Sequence, residues 1–315
     1  MTLHYHISEV APYINWSYFF HAWGFEPRFA AIADIHGCDA CRAMWLASFP
    51  EADRAKAAEA MQLHKEAQRL LVSLEADGYR THALFRLLSC NADGDDILLF
   101  SPSFTSSPYR LVFLRQQQPS SPDAPCLCLA DFVRPLPHHG AQTILPSLTG
   151  DGLDQLGLFA ACADAAIEQL FPDDPYRHLL CQTLADRLAE ATAELLHLHV
   201  RRTLWGYAPD EDLTVADLHA ERFQGIRPAV GYPSLPDQSL NFDLDALLHF
   251  ADIGISLTET GAMRPHASVS GLMLSHPEAR YFSVGHIGED QLADYARRRG
   301  RTVDELRPFL DKATM

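Results

Sequence analysis

The pattern of apolar and polar positions in the first half of the chain predicts one long helix followed by strands. Residues 51–77 are rich in alanine and place leucines at helical spacing, and Gly78 follows as a natural stop. Residues 82–89, 95–100 and 109–115 are typical of strands arranged around the turn sequence "NADGDD". This half therefore predicts a helix and an antiparallel group of strands.

The second half continues with separate blocks. "CLCLADFVRP" (126–135) alternates like a strand, whereas 153–171 and 176–203 are expected to be helices joined by "PDDP". "HASVSGLMLSHPEARYFSVGHI" (266–287) predicts a β-hairpin with a proline-containing turn, and 289–299 predicts a further helix. Because β-α-β alternation is missing, the expected fold class is α+β with an antiparallel sheet.

The amino-terminal residues are rich in aromatic side chains, which we expect to be buried. A length of 315 residues suits one large domain or two small ones. We predict one domain over residues 1–315. Its first part is the aromatic and helical segment 1–80, and its second part is the sheet and helical body 81–315.

Charge and cysteine content narrow the function classes. The net charge of −16 argues against a general nucleic-acid or anionic-membrane partner, since both require basic surface. The sequence has neither a bilayer-spanning apolar run nor a recognisable signal peptide. Seven cysteines, an odd number, favour reduced thiols and a cytoplasmic location.

"CDAC" places Cys38 and Cys41 in a C-x-x-C motif, which would need a second ligand pair to form a closed metal site. Cys126 and Cys128 are the nearest pair and lie far away in sequence, so we expect ordinary thiols and no metal. "DIHGCD" resembles the D-x-H-x-x-G motif of corrinoid-binding domains, but Asp39 stands at its sixth position, and we treat it as a chance match. Hydrolase, kinase and dinucleotide motifs are also absent from the sequence.

Two stretches could bind a ligand. Asp186, Glu190 and Glu194 share one helix face, which is either a solvated acidic face or a carboxylate rim facing a ligand. In the stiff loop "GIRPAVGYPSLPDQ" (225–238), Arg227 can hold a carboxylate, the following backbone amides can contact a base, and Tyr232 offers a ring. From the loop alone, a purely structural proline-rich turn is equally compatible.

Several stretches, in order, carry a family resemblance. They are "YINWSYFFHAW", "CLADFVRP", "ADRLAEATAELL", "WGYAPDEDL", "ERFQGIRPAVGYPSLPDQ" and "LTETGAMRPHASVSGLMLSHPEARYFSVGHIGEDQLADYARRRG". Together they resemble the C-terminal activation domain of cobalamin-dependent methionine synthase, over nearly the whole chain. The resemblance implies a helmet-shaped α+β fold around a twisted antiparallel sheet.

The resemblance also implies a function. The chain would bind S-adenosylmethionine and support the reductive methylation of cob(II)alamin, a methyltransferase step of methionine biosynthesis, with an electron from a flavodoxin-like donor. Cobalamin would be carried by a partner, a cobalamin-dependent methionine synthase lacking its own activation domain, so that the chain acts in trans. The alternative is a non-catalytic module of the same fold, a relic or sensor that binds S-adenosylmethionine or a partner.

The resemblance assigns the following S-adenosylmethionine contacts: Asn15, Glu221, Arg227, Ala229, Gly231, Tyr232, Tyr281 and Phe282. It further implies that Asp186 and Glu190 face the cobalamin domain, and it implies neither a catalytic acid or base nor a metal. The sequence departs from the family at Asn15, where aspartate is usual, and at Gln238, where histidine is usual. The amide at residue 15 would weaken binding by about 1–2 kcal/mol through loss of charge assistance.

Overall fold

The computed structural model describes residues 1–101, 104, 107–119, 121–139, 142–143 and 152–310. The strands are β1 (Thr2–His6), β2 (Arg80–Asp93), β3 (Asp96–Phe100), β4 (Tyr109–Val112), β5 (His138–His139), β6 (Gln142–Thr143), β7 (Asp154–Ala163), β8 (Ser256–Leu257), β9 (Met263–Arg264) and β10 (Ser268–Met273). The helices are α1 (Ile7–Val10), α2 (Trp16–Ala22), α3 (Asp39–Ala47), α4 (Glu51–Ala76), α5 (Pro175–His199), α6 (Val215–His219), α7 (Leu240–Leu248), α8 (Glu289–Arg299) and α9 (Val303–Leu306).

The main sheet is antiparallel in all its pairings, which confirms the predicted α+β class. Its order is β10-β7-β2-β3-β4, and the long β2 also pairs with β1. Strand β2 pairs with β7 along one of its edges. Along its other edge, β2 pairs first with β1, through residues 80–84, and then with β3, through residues 89–93. Two-stranded pairs form between β5 and β6 and between β8 and β9.

Both faces of the sheet are buried. In β7, Phe159, Ala161 and Ala163 contribute to a core beneath the amino-terminal helices, α4 and α5. Leu158 and Ala160 point to the opposite face and join a second core that includes α7. The alternation of side chains along a strand therefore feeds two separate apolar cores.

The helix predicted over 153–171 is wrong. Residues 154–163 form β7, and the following turn at 165–169 is a short 3-10 helix. Because both faces of β7 are covered, its sequence "DQLGLFAACA" lacks the polar alternation of a half-exposed strand. An uninterrupted apolar run rich in alanine cannot be distinguished from a buried helix by periodicity alone.

The two long helices are confirmed. Helix α4 buries an apolar stripe that includes Leu63, Leu70 and Leu74, and the chain leaves it through Gly78 at φ +86°. Helix α5 is buried around most of its circumference and continues into a π-helical turn over Val200–Leu204. None of the helices in the described residues is long and apolar enough to span a membrane.

The strand predicted at 126–135 is also wrong. Residues Leu129–Phe132 form a 3-10 turn, which the Asp131 carboxylate caps by accepting the backbone N–H of Cys128 at 2.8 Å. Arg115 donates to the same carboxylate through both terminal nitrogens, at 2.8 and 2.6 Å. Side-chain capping at Asp131 thus overrides the alternating pattern.

Only the first half of the predicted hairpin at 266–287 is a strand. The edge of β10 is covered by the proline-rich loop, because Ile226 and Leu274 exchange two backbone hydrogen bonds and Pro228 accepts from Leu272 at 3.0 Å. The chain after His276-Pro277 instead runs beside that loop, where Val284 N–H donates to Pro233 O at 2.9 Å. The loop therefore closes a sheet edge as well as lining a cavity.

Candidate functional site

A cavity of about 540 Å³ opens between the amino-terminal segment, α5, the region after α6 and the proline-rich loop. This volume is in the range of sites for small molecules. The residues that line it are Tyr13, Asn15, Tyr18, Arg187, Glu190, Ala191, Glu194, Leu218, His219, Glu221, Phe223, Arg227, Pro228, Ala229, Tyr232, Pro233, Ser234, Tyr281 and Phe282.

Arg227 forms an ion pair at the inner wall of this cavity. Its Nη2 donates to Glu194 Oε2 at 2.9 Å, and the two side chains are only 11% and 13% exposed. Burial works against the guanidinium charge, but Glu194 outweighs it and raises the Arg227 pKa. Arg227 Nε and Glu194 Oε1 have no hydrogen-bond partner, so the pair retains both an unused donor and an unused acceptor.

The segment around Tyr281 is hydrogen-bonded to the proline-rich loop. The Tyr281 hydroxyl accepts the backbone N–H of Arg227 at 2.9 Å, and the Ser234 hydroxyl donates to Phe282 O. Burial raises the Tyr281 pKa, which keeps this phenol neutral. The contacts fix Arg227 from its backbone, so its side chain has little freedom to leave the cavity.

Two further carboxylates give the cavity an acidic character. Glu190 accepts a hydrogen bond from the Tyr232 hydroxyl at 2.7 Å. Glu221 has a positive φ of 55° and a raised pKa, caused first by burial and then by the charge of Glu194. With Arg187 and Arg227 as the lining cations, the wall carries three carboxylates and two guanidinium groups.

Asn15 lies at the cavity wall for a local reason. It is the N-cap of α2, and its Oδ1 accepts the backbone N–H of Ser17 at 3.1 Å. Asparagine and aspartate are both favoured at this position. This bond uses one of the two lone pairs of the oxygen, so the second lone pair and the amide NH₂ remain available.

A buried ion pair supports the cavity from beneath. Arg201, in the π-helical turn, is fully buried and donates to both carboxylate oxygens of Glu211 at 2.8–3.0 Å. Its guanidinium carbon lies 4.3 Å from the ring centroid of Phe223, a lining residue. The neighbouring His197 has a pKa lowered well below its usual range by burial and by Arg201 and Arg227, so it adds no charge here.

Most of the predicted ligand contacts line this one cavity, and two of the predicted site residues lie outside its lining. Gly231 does not line it, and the N–H groups of Val230 and Gly231 are already bonded to Ser270 O and Leu235 O. Asp186 also lies outside the lining, where its carboxylate meets His266 Nδ1 at 3.1 Å. The backbone amides of the loop are thus used to hold the loop, and only part of the acidic stripe faces the cavity.

Sequence reasoning missed other lining residues, above all Tyr18, Arg187 and Phe223. It also missed a potential metal-ligand cluster away from the cavity, formed by His36, Cys38 and Cys41. Treating "HGCDAC" as a single H-x-C-x-x-C motif would have found that cluster.

An α+β sheet whose edge is closed by a loop that also walls a charged, aromatic cavity defines a small-molecule-binding domain. A family model described as "Vitamin B12 dependent methionine synthase, activation domain" matches residues 6–300. The chain therefore belongs to that family. Its fold is similar to that of the "Crystal Structure of the MetH Reactivation Domain bound to AdoHcy", with a TM-score of 0.83, 32% identity, and coverage of 100% of this chain and 90% of that chain.

Proposed function

We propose that this chain binds S-adenosylmethionine in the Arg227 cavity and presents its methyl group to cobalamin. The observation that carries the proposal is the Arg227–Glu194 pair with its unused donor and acceptor. The methionyl end of the ligand is a zwitterion. Its carboxylate suits Arg227 and its ammonium group suits Glu194. Because both unused atoms are buried, the two side chains have to shift for the ligand to reach them.

The charge balance of the wall supports the same ligand. S-adenosylmethionine carries a sulfonium and an ammonium group against one carboxylate, so it has one net positive charge. The lining has an excess of one carboxylate over its guanidinium groups. Inside a partly dewatered cavity this complementarity favours the sulfonium ligand over an anionic one.

The remaining predicted contacts have suitable chemistry. Asn15 Oδ1 can accept a hydrogen bond from the ligand's ammonium group through its second lone pair, Glu221 is close enough to Glu194 to feel its charge, and Phe282 adds apolar surface. The backbone of Ala229 lies at the wall beside Tyr232. We assign these residues to the adenosyl and amino groups of the ligand, and we assign Gly231 to the support of the loop.

Two exposed tyrosines favour the cavity mouth as the place where cobalamin approaches. Tyr18 is 62% and Tyr232 51% exposed, although both line the cavity. Flat aromatic faces suit a macrocycle carried by another domain. Asp186 and Glu190 remain the proposed polar contacts of that domain, and Glu190 itself lines the cavity.

The proposed reaction needs positioning and no acid or base. One electron from a flavodoxin-like donor reduces cob(II)alamin to cob(I)alamin. The cobalt electron pair then forms the cobalt–carbon bond as the carbon–sulfur bond breaks, and the sulfonium leaves as the neutral thioether S-adenosylhomocysteine. The protein holds the methyl group in line with the cobalt and limits water at the site.

The family model of the activation domain covers residues 6–300, and in the proposed reaction cobalamin is carried outside this domain. We propose that it is presented in trans by a methionine synthase without an activation domain. The test uses such a synthase in the cob(II)alamin state, a reduced flavodoxin-like donor, and S-adenosylmethionine labelled in its methyl group. We expect label on cobalamin when this protein is present and a large loss with Arg227→Ala.

Arg202→Ala is the matched control, because Arg202 is an exposed arginine outside the cavity lining. This variant should transfer label as the unchanged protein does. Absence of label transfer, despite measurable S-adenosylmethionine binding, would contradict the reactivation role. It would favour the second candidate, a binding module without methyl transfer, for which the departure at Asn15 is the motivating observation.

A further inference from the structure

Three soft ligand groups meet on the exposed side of the amino-terminal region. His36, Cys38 and Cys41 each offer one ligand atom, and these atoms all lie within 4.8 Å of one another. In the described part of the chain, no other group of at least three His, Cys, Asp or Glu side chains comes together in this way. The protein's proposed methyl chemistry uses none of the three.

The local backbone explains why these groups converge. Cys38 is the N-cap of α3 with extended dihedrals, φ −79° and ψ 153°, and its Sγ accepts the N–H of Cys41 at 3.3 Å. An N-cap side chain faces the first turn of its helix, where Cys41 lies. His36 is two residues before Cys38, and its ring nitrogen lies within 4.8 Å of both sulfur atoms.

The cluster lies at the start of a helix, next to an arginine. Both thiols lie at the amino-terminal end of a nine-residue helix, whose dipole stabilises anions there. Arg42 is the following residue, and its Nη1 lies 3.8 Å from the Asp39 carboxylate. Two thiolates at a helix end can neutralise a divalent cation with little need for further acidic groups.

We propose that His36, Cys38 and Cys41 bind a thiophilic divalent cation of the Zn²⁺ class. One imidazole nitrogen and two thiolates are ligands that this cation prefers, and three protein ligands leave its fourth tetrahedral position open. Gly37 and Arg42, which are sequence neighbours of the three ligands, help to line a groove of about 560 Å³ together with Lys65 and Arg69. The fourth ligand is therefore water or an anion from this groove.

Other cysteines do not compete for this site. Cys90, Cys128, Cys162 and Cys181 are buried in the core, and burial raises the pKa of each thiol. Cys126 is partly exposed and lies outside the cluster. It supplies a matched control for a thiol variant that leaves the three ligands in place.

The first test is anaerobic titration of the reduced full chain with Co²⁺, a spectroscopic probe for tetrahedral zinc sites. We expect one equivalent to produce a thiolate-to-cobalt charge-transfer band and intense visible bands, which Zn²⁺ then removes. Cys38→Ser and Cys41→Ser should each weaken binding at least about tenfold, whereas Cys126→Ser should leave it unchanged. His36→Ala should weaken binding and shift the visible bands.

A second measurement on the unchanged protein guards against variants that fail to fold. Zn²⁺ should slow alkylation of Cys38 and Cys41, mapped by peptide mass spectrometry, and leave the rate at Cys126 unaffected. Either of two results would overturn the proposal. One is the absence of cobalt bands and of protection by Zn²⁺, and the other is bands of equal strength in folded Cys38→Ser and Cys41→Ser proteins.

Discussion

Arg227 and Glu194 show how a single pair of side chains can prepare a site for a zwitterion. A buried guanidinium without a partner would cost several kcal/mol, and Glu194 removes most of that cost before any ligand arrives. Since Arg227 Nε and Glu194 Oε1 stay unsatisfied, the pair is stable enough to form but incomplete. A ligand that supplies both an acceptor and a donor completes it.

Asn15→Asp should strengthen binding of S-adenosylmethionine. The carboxylate would keep the N-cap bond to Ser17 and gain from the helix dipole, so the free energy of unfolding should stay the same or rise slightly. A charged partner for the ligand's ammonium group adds about 1–2 kcal/mol, roughly 5- to 30-fold in Kd. Calorimetry on both proteins measures this, and weaker binding by the aspartate variant would contradict the assignment of Asn15.

Sequence alone identified fewer than half of the residues that line the cavity wall, and it did not show how they pair. Arg227, Tyr232 and Tyr281 could be chosen from their motifs and from the family resemblance. The bond from Arg227 to Glu194 could not be predicted, because it joins a loop to a helix 33 positions away and depends on how α5 packs. The use of the Val230 and Gly231 amides was likewise hidden, since a sheet edge had to be known first.

At the scale of elements, the proline-rich loop serves two purposes that are mechanically connected. It closes the open edge of β10 by backbone hydrogen bonds and simultaneously carries Arg227 to the cavity. Proline restricts the loop, which limits the entropy lost on ligand binding. The hairpin predicted at 266–287 does not form, because the loop already occupies the edge of β10 with which a second strand would have paired.

Gly271→Ala should disturb the cavity through this edge. A Cβ at Gly271 would lie 2.2 Å from Pro228 O and 2.8 Å from Ala229 Cα, and both are backbone atoms that cannot rotate away. We expect a loss of about 1–3 kcal/mol in the free energy of unfolding together with weaker S-adenosylmethionine binding. Urea unfolding and calorimetry test the two effects.

Gly37→Ala is the matched control for that experiment. A Cβ at Gly37 meets only Arg42 Nη2, at an ordinary 3.7 Å, and Gly37 lies far from the β10 edge in sequence and outside the cavity lining. The control should retain both stability and affinity. If Gly271→Ala behaved like Gly37→Ala, the close approach of loop and strand would not be important for the site.

At the scale of the whole molecule, two apolar cores lie on opposite faces of one sheet. One core packs the amino-terminal helices against the sheet, and the other packs carboxyl-terminal elements against it. The sequence predicted the class and the long helices because these depend on local periodicity. It failed at β7, where burial on both faces removed the polar alternation. The structure therefore adds mainly the long-range pairings that bring Asn15, Arg227 and Tyr281 to one cavity.

His64 should make the stability of the whole molecule depend on pH. Its ring packs edge-on against Trp16 at 4.5 Å, and burial, with help from Arg42, lowers its pKa to about 4. In the unfolded chain the ring titrates near pH 6.5, so between pH 6.5 and 4 the unfolded chain takes up the proton first. This group therefore leaves stability unaffected above pH 6.5 and reduces it as the pH falls towards 4.

The test compares urea unfolding of the unchanged protein and His64→Gln at pH 7 and pH 5. We expect the unchanged protein to lose about 1–2 kcal/mol more than the variant between these two pH values. The difference between the two proteins cancels the contribution of other histidines. Equal losses in the two proteins would contradict the assigned burial of the imidazole.

The most direct test of the central claim is calorimetric titration of the protein with S-adenosylmethionine, beside Arg227→Ala, Arg227→Lys and the control Arg202→Ala. We predict one site, unchanged in Arg202→Ala and weakened by about 2 kcal/mol, roughly 30-fold, in Arg227→Ala. Arg227→Lys keeps a charge for Glu194, so it should remain folded and fall between the two. Absence of binding, or unchanged affinity in folded Arg227→Ala, would contradict the account.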